Sequence, residues 1–422
     1  MAVSAGATAG CSHRSHAQTT HGDSALGTGA AGQRQTGVPW SRNPPAGRDP
    51  ATVPQFVAVT FDDNFGLENP TAAGGVDFIV DFFRTRTNPP ASGATPNDYG
   101  GTPIATTLFN TTLYMTEQDE LHRNRASWRR AFAAGHEVAD HTIHHWNGGG
   151  VPFSHEPCCR PRRFKITDWI PEIKGARDTL TDATEGTGAR ATDVVGFRAP
   201  YLGYNDALYS ALDSLRFLYD STLLACLGDD EDGGNCAWPY TLDDGSRDAD
   251  TLKAKFGLPA LGKHPGLWEA PVSALVVPPD SEAAAYGFTA GLRARIEQKL
   301  PLPYPSLYEP RTGKIAGLDV SLLTDAQLRP HEMLAILKYN LDLRRNGNRA
   351  PLIFVAHAFM YAFTQSDAAK PKDPDNPNTP SAAERDARWK AITDFVAYAI
   401  SKPEVRVRPV RDIIAWMGQA RR

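Results

Sequence analysis

Phe56-Val57-Ala58-Val59-Thr60-Phe61-Asp62-Asp63 is the stretch on which the fold turns. An unbroken run of apolar and β-branched residues stops at two adjacent carboxylates. By its length and its β-branched content, Phe56–Phe61 reads as a buried strand. Working outward, similar runs predict strands at Ile104–Phe109, His136–Asp140, Val194–Phe197, Phe217–Tyr219, Leu267–Val272, Leu352–Ala356 and Val405–Val410. Helical patterns lie between them at Gly75–Arg84, Asp119–Ala134, Thr167–Ala183, Asp206–Leu215, His331–Arg344 and Ala382–Ser401. Strands alternating with helices imply parallel strands with crossover helices, and about eight units in one run suggest a barrel rather than an open sheet. The expectation is an α/β fold, a single distorted (β/α) barrel of about seven to eight parallel strands.

Residues 1–54 are rich in Gly, Ala, Ser, Thr and Pro with little apolar periodicity, and read as a disordered tail or linker. The barrel is expected to occupy residues 55–422. Thr87–Pro103 and Ser366–Pro380 read as surface loops, and Leu223–Pro265 as a longer insertion rich in Asp and Gly. No repeat is evident. Hydrophobic residues make up 41% and charged residues 22% of the 422, enough to bury a substantial core. A formal charge of −4 with mixed signs leaves no basic footprint, which argues against nucleic acid as a partner. No stretch approaches the roughly 18–20 apolar residues of a membrane-spanning helix.

Met1–Gly10 lacks the basic start and apolar run of a secretory signal. Thr8-Ala9-Gly10-Cys11 looks like the end of a bacterial lipobox, which would place a lipid anchor at Cys11; the alternative is a tail in which Cys11 has no role. Cys158 and Cys159 are neighbours poorly placed to pair with each other, whereas pairing Cys226 with Cys236 would close a short loop. An exported protein (secreted, periplasmic or lipid-anchored) is the expectation, with a cytoplasmic one as the alternative because no signal pattern is visible.

Chemistry enters at the strand ends. Asp62 and Asp63 follow one predicted strand, His141 a second, Arg198 a third, and His357 ends a fourth. In parallel α/β barrels the strand C-termini share one rim where reactive groups gather. Adjacent carboxylates repel, so a cation or a proton must stabilise the pair, unless they form a solvated turn with one acting as a helix cap. In His141-Thr142-Ile143-His144-His145, a helical turn would put His141 and His145 on one face, able to hold one divalent metal, with His144 pointing away. A surface histidine cluster is the alternative. With an upstream Asp the pair makes an open Asp-His-His site suited to metal-assisted hydrolysis. Arg198 could hold a carboxylate ionised and oriented, or form a purely structural ion pair. His357 could be a core histidine or a general acid. Trp146 could stack on a sugar or pack locally.

Together these residues resemble the polysaccharide deacetylases (NodB-homology, carbohydrate esterase family 4). Thr60-Phe61-Asp62-Asp63 matches the family's TFDD, His141-Thr142-Ile143-His144-His145 its H-[ST]-x-x-H, and Arg198-Ala199-Pro200-Tyr201 its R-x-P-[YF]. The strand ending in His357 matches the last motif. Phe217–Thr222, Trp238–Asp243, Leu267-Trp268-Glu269 and Asn348–Pro351 are similar to segments of the arthropod-type chitin deacetylase branch, so the resemblance spans roughly Gln55 to Met417. It implies Asp63, His141 and His145 as ligands of a divalent cation (Zn2+, with Co2+ or another ion as alternatives). It also implies Asp62 as general base oriented by Arg198, the Tyr201 backbone N–H as oxyanion donor, and His357 as general acid tuned by Asp220. Asn64 stands where many members have Gly. The implied activity is removal of N-acetyl groups from an N-acetylglucosamine polymer such as chitin. Two alternatives stay open: a deacylase of another amide or O-acetyl ester, and an inactive carbohydrate-binding homologue. No Gly-x-Ser-x-Gly signature supports a serine-esterase route.

Overall fold

The computed structural model describes residues 36–64, 75–90, 98–116, 123–150, 161–300, 307–361 and 381–420. Among them are twelve strands: β1 (Gln55–Asp63), β2 (Thr107–Asn110), β3 (Glu137–Asp140), β4 (Gly196–Phe197), β5 (Tyr219–Asp220), β6 (Leu224–Ala225), β7 (Tyr240–Leu242), β8 (His264–Glu269), β9 (Val272–Val276), β10 (Lys314–Ala316), β11 (Leu352–His357) and β12 (Val405–Val407). Every residue of β1 is buried, because both its faces are covered. Successive side chains of a strand point to opposite faces. Val57, Val59 and Phe61 accordingly share a core with Ile79 and Phe83 of the helix Gly75–Arg84, Ile336 of Pro330–Asn346 and Phe395 of Ala382–Ile400. Phe56 and Ala58 belong to a second core with Phe109, Phe197, Tyr219, Trp268 and Val355 from neighbouring strands. Strands covered on both faces read as continuous apolar runs, which is why β1 shows no alternation in sequence.

The main sheet runs β11-β1-β2-β3-β4-β5-β8-β7, with β12 also on β1. All its pairs are parallel except β7–β8. A smaller sheet, β10-β9-β6, lies beside β11, where Ile353 N–H donates to Ser273 Oγ at 3.1 Å and Val355 N–H to the Gly317 carbonyl at 2.9 Å. The ring is therefore a distorted barrel whose hydrogen-bond ladder is interrupted. Register aligns the strand ends: Asp62 lies beside His357, Asp63 beside Asn110, Asn110 beside Asp140, Asp140 beside Phe197, and Phe197 beside Asp220.

Three expectations need correction. Leu267–Val272 is not one strand: β8 ends at Glu269, β9 begins at Val272, and Pro271, which has no N–H to donate, separates them. Leu223–Pro265 is not a plain insertion, since it supplies β6, β7, the helix Arg247–Phe256 and the start of β8. Nor does the packed chain start at Gln55. Gly37 N–H donates to Asp243 Oδ2 at 2.8 Å, Thr241 N–H to the Val38 carbonyl at 2.8 Å and Trp238 N–H to the Ser41 carbonyl at 2.9 Å. That segment is held by these hydrogen bonds and by the widely spaced apolar residues Val38, Trp40 and Val53 packed on the second core, a spacing with no helix or strand period to reveal it. Cys226 and Cys236 form a disulfide. Cys11, Cys158, Cys159 and the loop Ser366–Pro380 lie outside the described residues.

Candidate active site

β1 ends in an unusual backbone. Asp63 and Asn64 both have positive φ, 64° and 57°. Asn tolerates this left-handed region better than most residues, which accounts for Asn64 in a position where glycine would also fit. The Asn64 side chain pins the turn by donating from Nδ2 to the carbonyls of Phe61 at 2.7 Å and Phe109 at 2.9 Å. The Asn64 main-chain carbonyl accepts from the Trp128 indole N–H at 2.8 Å. This twist is what separates the environments of Asp62 and Asp63.

Asp62 meets Arg198. The guanidinium donates from Nη1 to Asp62 Oδ1 and to Thr60 Oγ1, each at 2.7 Å, from Nε to the Ser221 carbonyl at 2.8 Å, and from Nη2 to Ser221 Oγ at 2.9 Å. It also lies 4.1 Å from the Phe109 ring centroid. The side chains of Arg198 and Asp62 are 0% and 4% exposed, against 18% for His145 and 12% for His357, so substrate can reach the histidines but not Arg198. The Arg198–Asp62 contact is charge-assisted and fixes the direction of the Asp62 carboxyl group.

Asp63 faces two imidazoles. Its Oδ1 lies 3.0 Å from His145 Nε2 and 3.7 Å from His141 Nε2, and one ligand atom from each of the three residues falls within 4.8 Å of the others. His141 Nδ1 is 2.7 Å from the Arg198 carbonyl, which can only accept, so Nδ1 carries a proton and Nε2 is the atom turned toward Asp63. His145 Nδ1 meets the Tyr201 hydroxyl at 3.2 Å, leaving its Nε2 also toward Asp63. Burial is the main influence on His145 and pushes it down to about 4, so at neutral pH it brings no charge. Burial works against the charge of Asp63 too, but the imidazoles of His145, His141 and His357 outweigh it and hold this carboxyl below its ordinary value. Asp63 Oδ1 is buried and accepts no hydrogen bond. One carboxylate oxygen and two imidazole nitrogens gathered within 4.8 Å of one another are a donor set for a divalent cation of the zinc type. These three residues could hold one.

The route by which the histidines converge differs from the expectation. Residues 141–145 form no helix; Thr142 and His145 have φ of 70° and 56°, and this folded loop, not an i, i+4 face, brings the rings to 5.1 Å between centroids. His144 does point elsewhere, to Glu172.

His357 closes the other side. Its Nδ1 is 2.6 Å from Asp319 Oδ1, and its N–H donates to Asp319 Oδ2 at 2.8 Å. Burial opposes its charge, yet Asp319, with Asp63 and Asp62 beyond, raises it to about 9. Asp319, not Asp220, is thus the partner of His357. Asp220 accepts from Tyr209 Oη at 3.0 Å and from Thr222 Oγ1 at 2.7 Å, and lies beside Glu269 on β8. Burial pushes both of these carboxyls up. Thr222 Oγ1 in turn accepts from Ala199 N–H at 2.9 Å, so Asp220 braces the strand end that carries Arg198 and Tyr201. The Asp319 signal in the sequence was a lone acid between Leu318 and Val320, easily passed over. Tyr201, with φ of 59°, stands against His145 at 4.6 Å between ring centroids. The Trp146 ring is already engaged, stacked with His144 at 4.5 Å and 4.1 Å from the Arg162 guanidinium, which favours local packing over sugar stacking.

Among solved structures, the chain is similar to a protein from Mycobacterium smegmatis provisionally described as a polysaccharide deacetylase, at 18% identity over 92% of this chain and 96% of that one, with a TM-score of 0.44. It is also similar to a family 4 carbohydrate esterase from Streptomyces lividans solved with acetate (16%, 62% and 97%, TM-score 0.25). A 4-alpha-glucanotransferase from Thermococcus litoralis is similar as well (9%, 86% and 40%, TM-score 0.42). No family model and no curated protein matches the chain. At these identities and scores the chemistry has to be argued from the residues themselves.

Proposed function

We propose that this chain is a metal-dependent hydrolase of the polysaccharide deacetylase family, removing acetyl groups from an N-acetylglucosamine polymer such as chitin. The observation that carries the reading is the buried Asp63 oxygen facing the Nε2 atoms of His141 and His145, with Asp62 and His357 on adjoining strand ends. A divalent cation held there would polarise an acyl carbonyl and lower the pKa of water. Asp62, held in direction by Arg198, takes the proton as water adds to the carbonyl carbon. The Tyr201 backbone N–H helps stabilise the oxyanion. His357, protonated at neutral pH beside Asp319, gives its proton to the nitrogen as the C–N bond breaks, so acetate and a free amine leave. A binding protein would need neither the Asp62–Arg198 pair nor the His357–Asp319 pair, which supports catalysis over binding alone. Export fits the Cys226–Cys236 disulfide, a bond that persists in oxidising compartments.

Acetate release from a panel of glycans tests this. Release from chitooligosaccharides with little from acetylxylan or small acetamides is the expected result. Release from acetylxylan alone would reassign the substrate to an O-acetyl ester, and release from none would end the reading as an enzyme of this class.

A further inference from the structure

We infer that Glu172 and His144, neither of which can reach the cation, together set the position of the two histidines that would ligate it. This rests on the reading of Asp63, His141 and His145 as a metal site. The loop 141–145 contains two non-glycine residues in the left-handed region, a conformation disfavoured for side chains other than glycine, so it keeps its shape only through outside constraint. The sheet side supplies part of that constraint. Thr142 N–H donates to Asp140 Oδ1 at 2.9 Å, and the Thr142 and Ile143 carbonyls accept from Thr112 and Leu113 N–H at 3.1 and 3.0 Å.

The helix side is held by one carboxylate. Glu172, on the helix Ile166–Leu180, accepts the His144 N–H on Oε2 at 3.1 Å and binds the His144 Nδ1 through Oε1 at 2.7 Å. It therefore grips main chain and ring of the residue immediately before His145. The Glu172 side chain is only 7% exposed, so these donors offset the cost of burying it, unlike an optional surface pair. Three residues further along the same helix, a Cβ on Gly175 would lie 2.5 Å from Ile143 Cδ1. A glycine inside a helix is destabilising relative to alanine, and here its return is the close seating of the loop. The His144 ring is also stacked on Trp146, with an interplanar angle of 13°. Metal–ligand distances tolerate only about 0.2 Å, so freeing His144 displaces His145 by enough to matter.

The test is Zn2+ affinity of the full chain, measured without substrate by competition with a chromophoric chelator. Glu172→Leu and His144→Phe should each weaken Zn2+ binding by about 10- to 100-fold, as loss of an orienting partner of metal ligands does, and the double variant should cost little more than either. A role in fold stability alone would lower the melting temperature of the metal-free protein and leave the affinity of the folded fraction unchanged. Unchanged affinity in both single variants overturns the inference while leaving the metal site intact. A wild-type chain that binds no Zn2+ removes the site itself.

Discussion

At the scale of single residues, proton placement decides what the site can do. His357 must be charged to serve as an acid, and Asp319 is the nearest of the carboxylates that keep it so. Its raised value means that the proton stays below about pH 9 and is lost as pH rises through that point. Asp319→Asn removes one negative charge, so deprotonation comes earlier and the alkaline limb of kcat/KM should move to lower pH. Rate at neutral pH should fall too, by up to the roughly 10²–10⁴-fold that a positioned acid contributes. A pH–rate profile superimposable on wild type would remove Asp319 from this role. Motif reading singled out Asp62, Asp63, Arg198 and His357 because each sits at the end of an apolar run. It assigned the tuning of His357 to Asp220, which also ends a strand, and missed Asp319, which lies outside the named strands, just after β10. Which carboxylate touches which imidazole is decided by side-chain contacts that no local pattern encodes.

At the scale of elements, the working parts are the irregular ones. The end of β1 and the loop 141–145 both carry non-glycine residues with positive φ, and both deliver members of the Asp63–His141–His145 group. Asn64 shows what this demands. Asn64→Gly keeps the backbone freedom but loses two hydrogen bonds, costing about 1–3 kcal/mol. Asn64→Val loses the same bonds and adds a β-branched side chain at φ 57°, for about 1–2 kcal/mol more. Urea unfolding should rank wild type above Gly above Val; Val equal to or above Gly would mean that the turn is not strained. Helices such as Asp206–Ser214 and Pro330–Asn346 lay within a residue or two of their predicted ends, since apolar spacing and terminal residues mark them. The strands expected at Val194–Phe197 and Phe217–Tyr219 narrow to the two-residue β4 and β5, the two-residue β6 was too short for any pattern to define, and the non-helical path from His141 to His145 had no local signature.

For the molecule as a whole, the parallel order β11-β1-β2-β3-β4-β5-β8 explains how residues almost 300 positions apart share one rim, Asp62 and His357 lying side by side in register. A barrel of parallel strands was readable from the alternation of apolar runs with helical patterns. Its interruption beside β11 was not, nor was the antiparallel edge strand β7, because sheet closure depends on contacts between distant segments. The most direct measurement is acetate release from chitooligosaccharide by chelator-stripped protein titrated with Zn2+. Stripped wild type should release none and recover fully at one equivalent of Zn2+ per chain, while Asp63→Ala should stay inactive at that level. Undiminished release from the stripped protein would contradict a metal held by Asp63, His141 and His145.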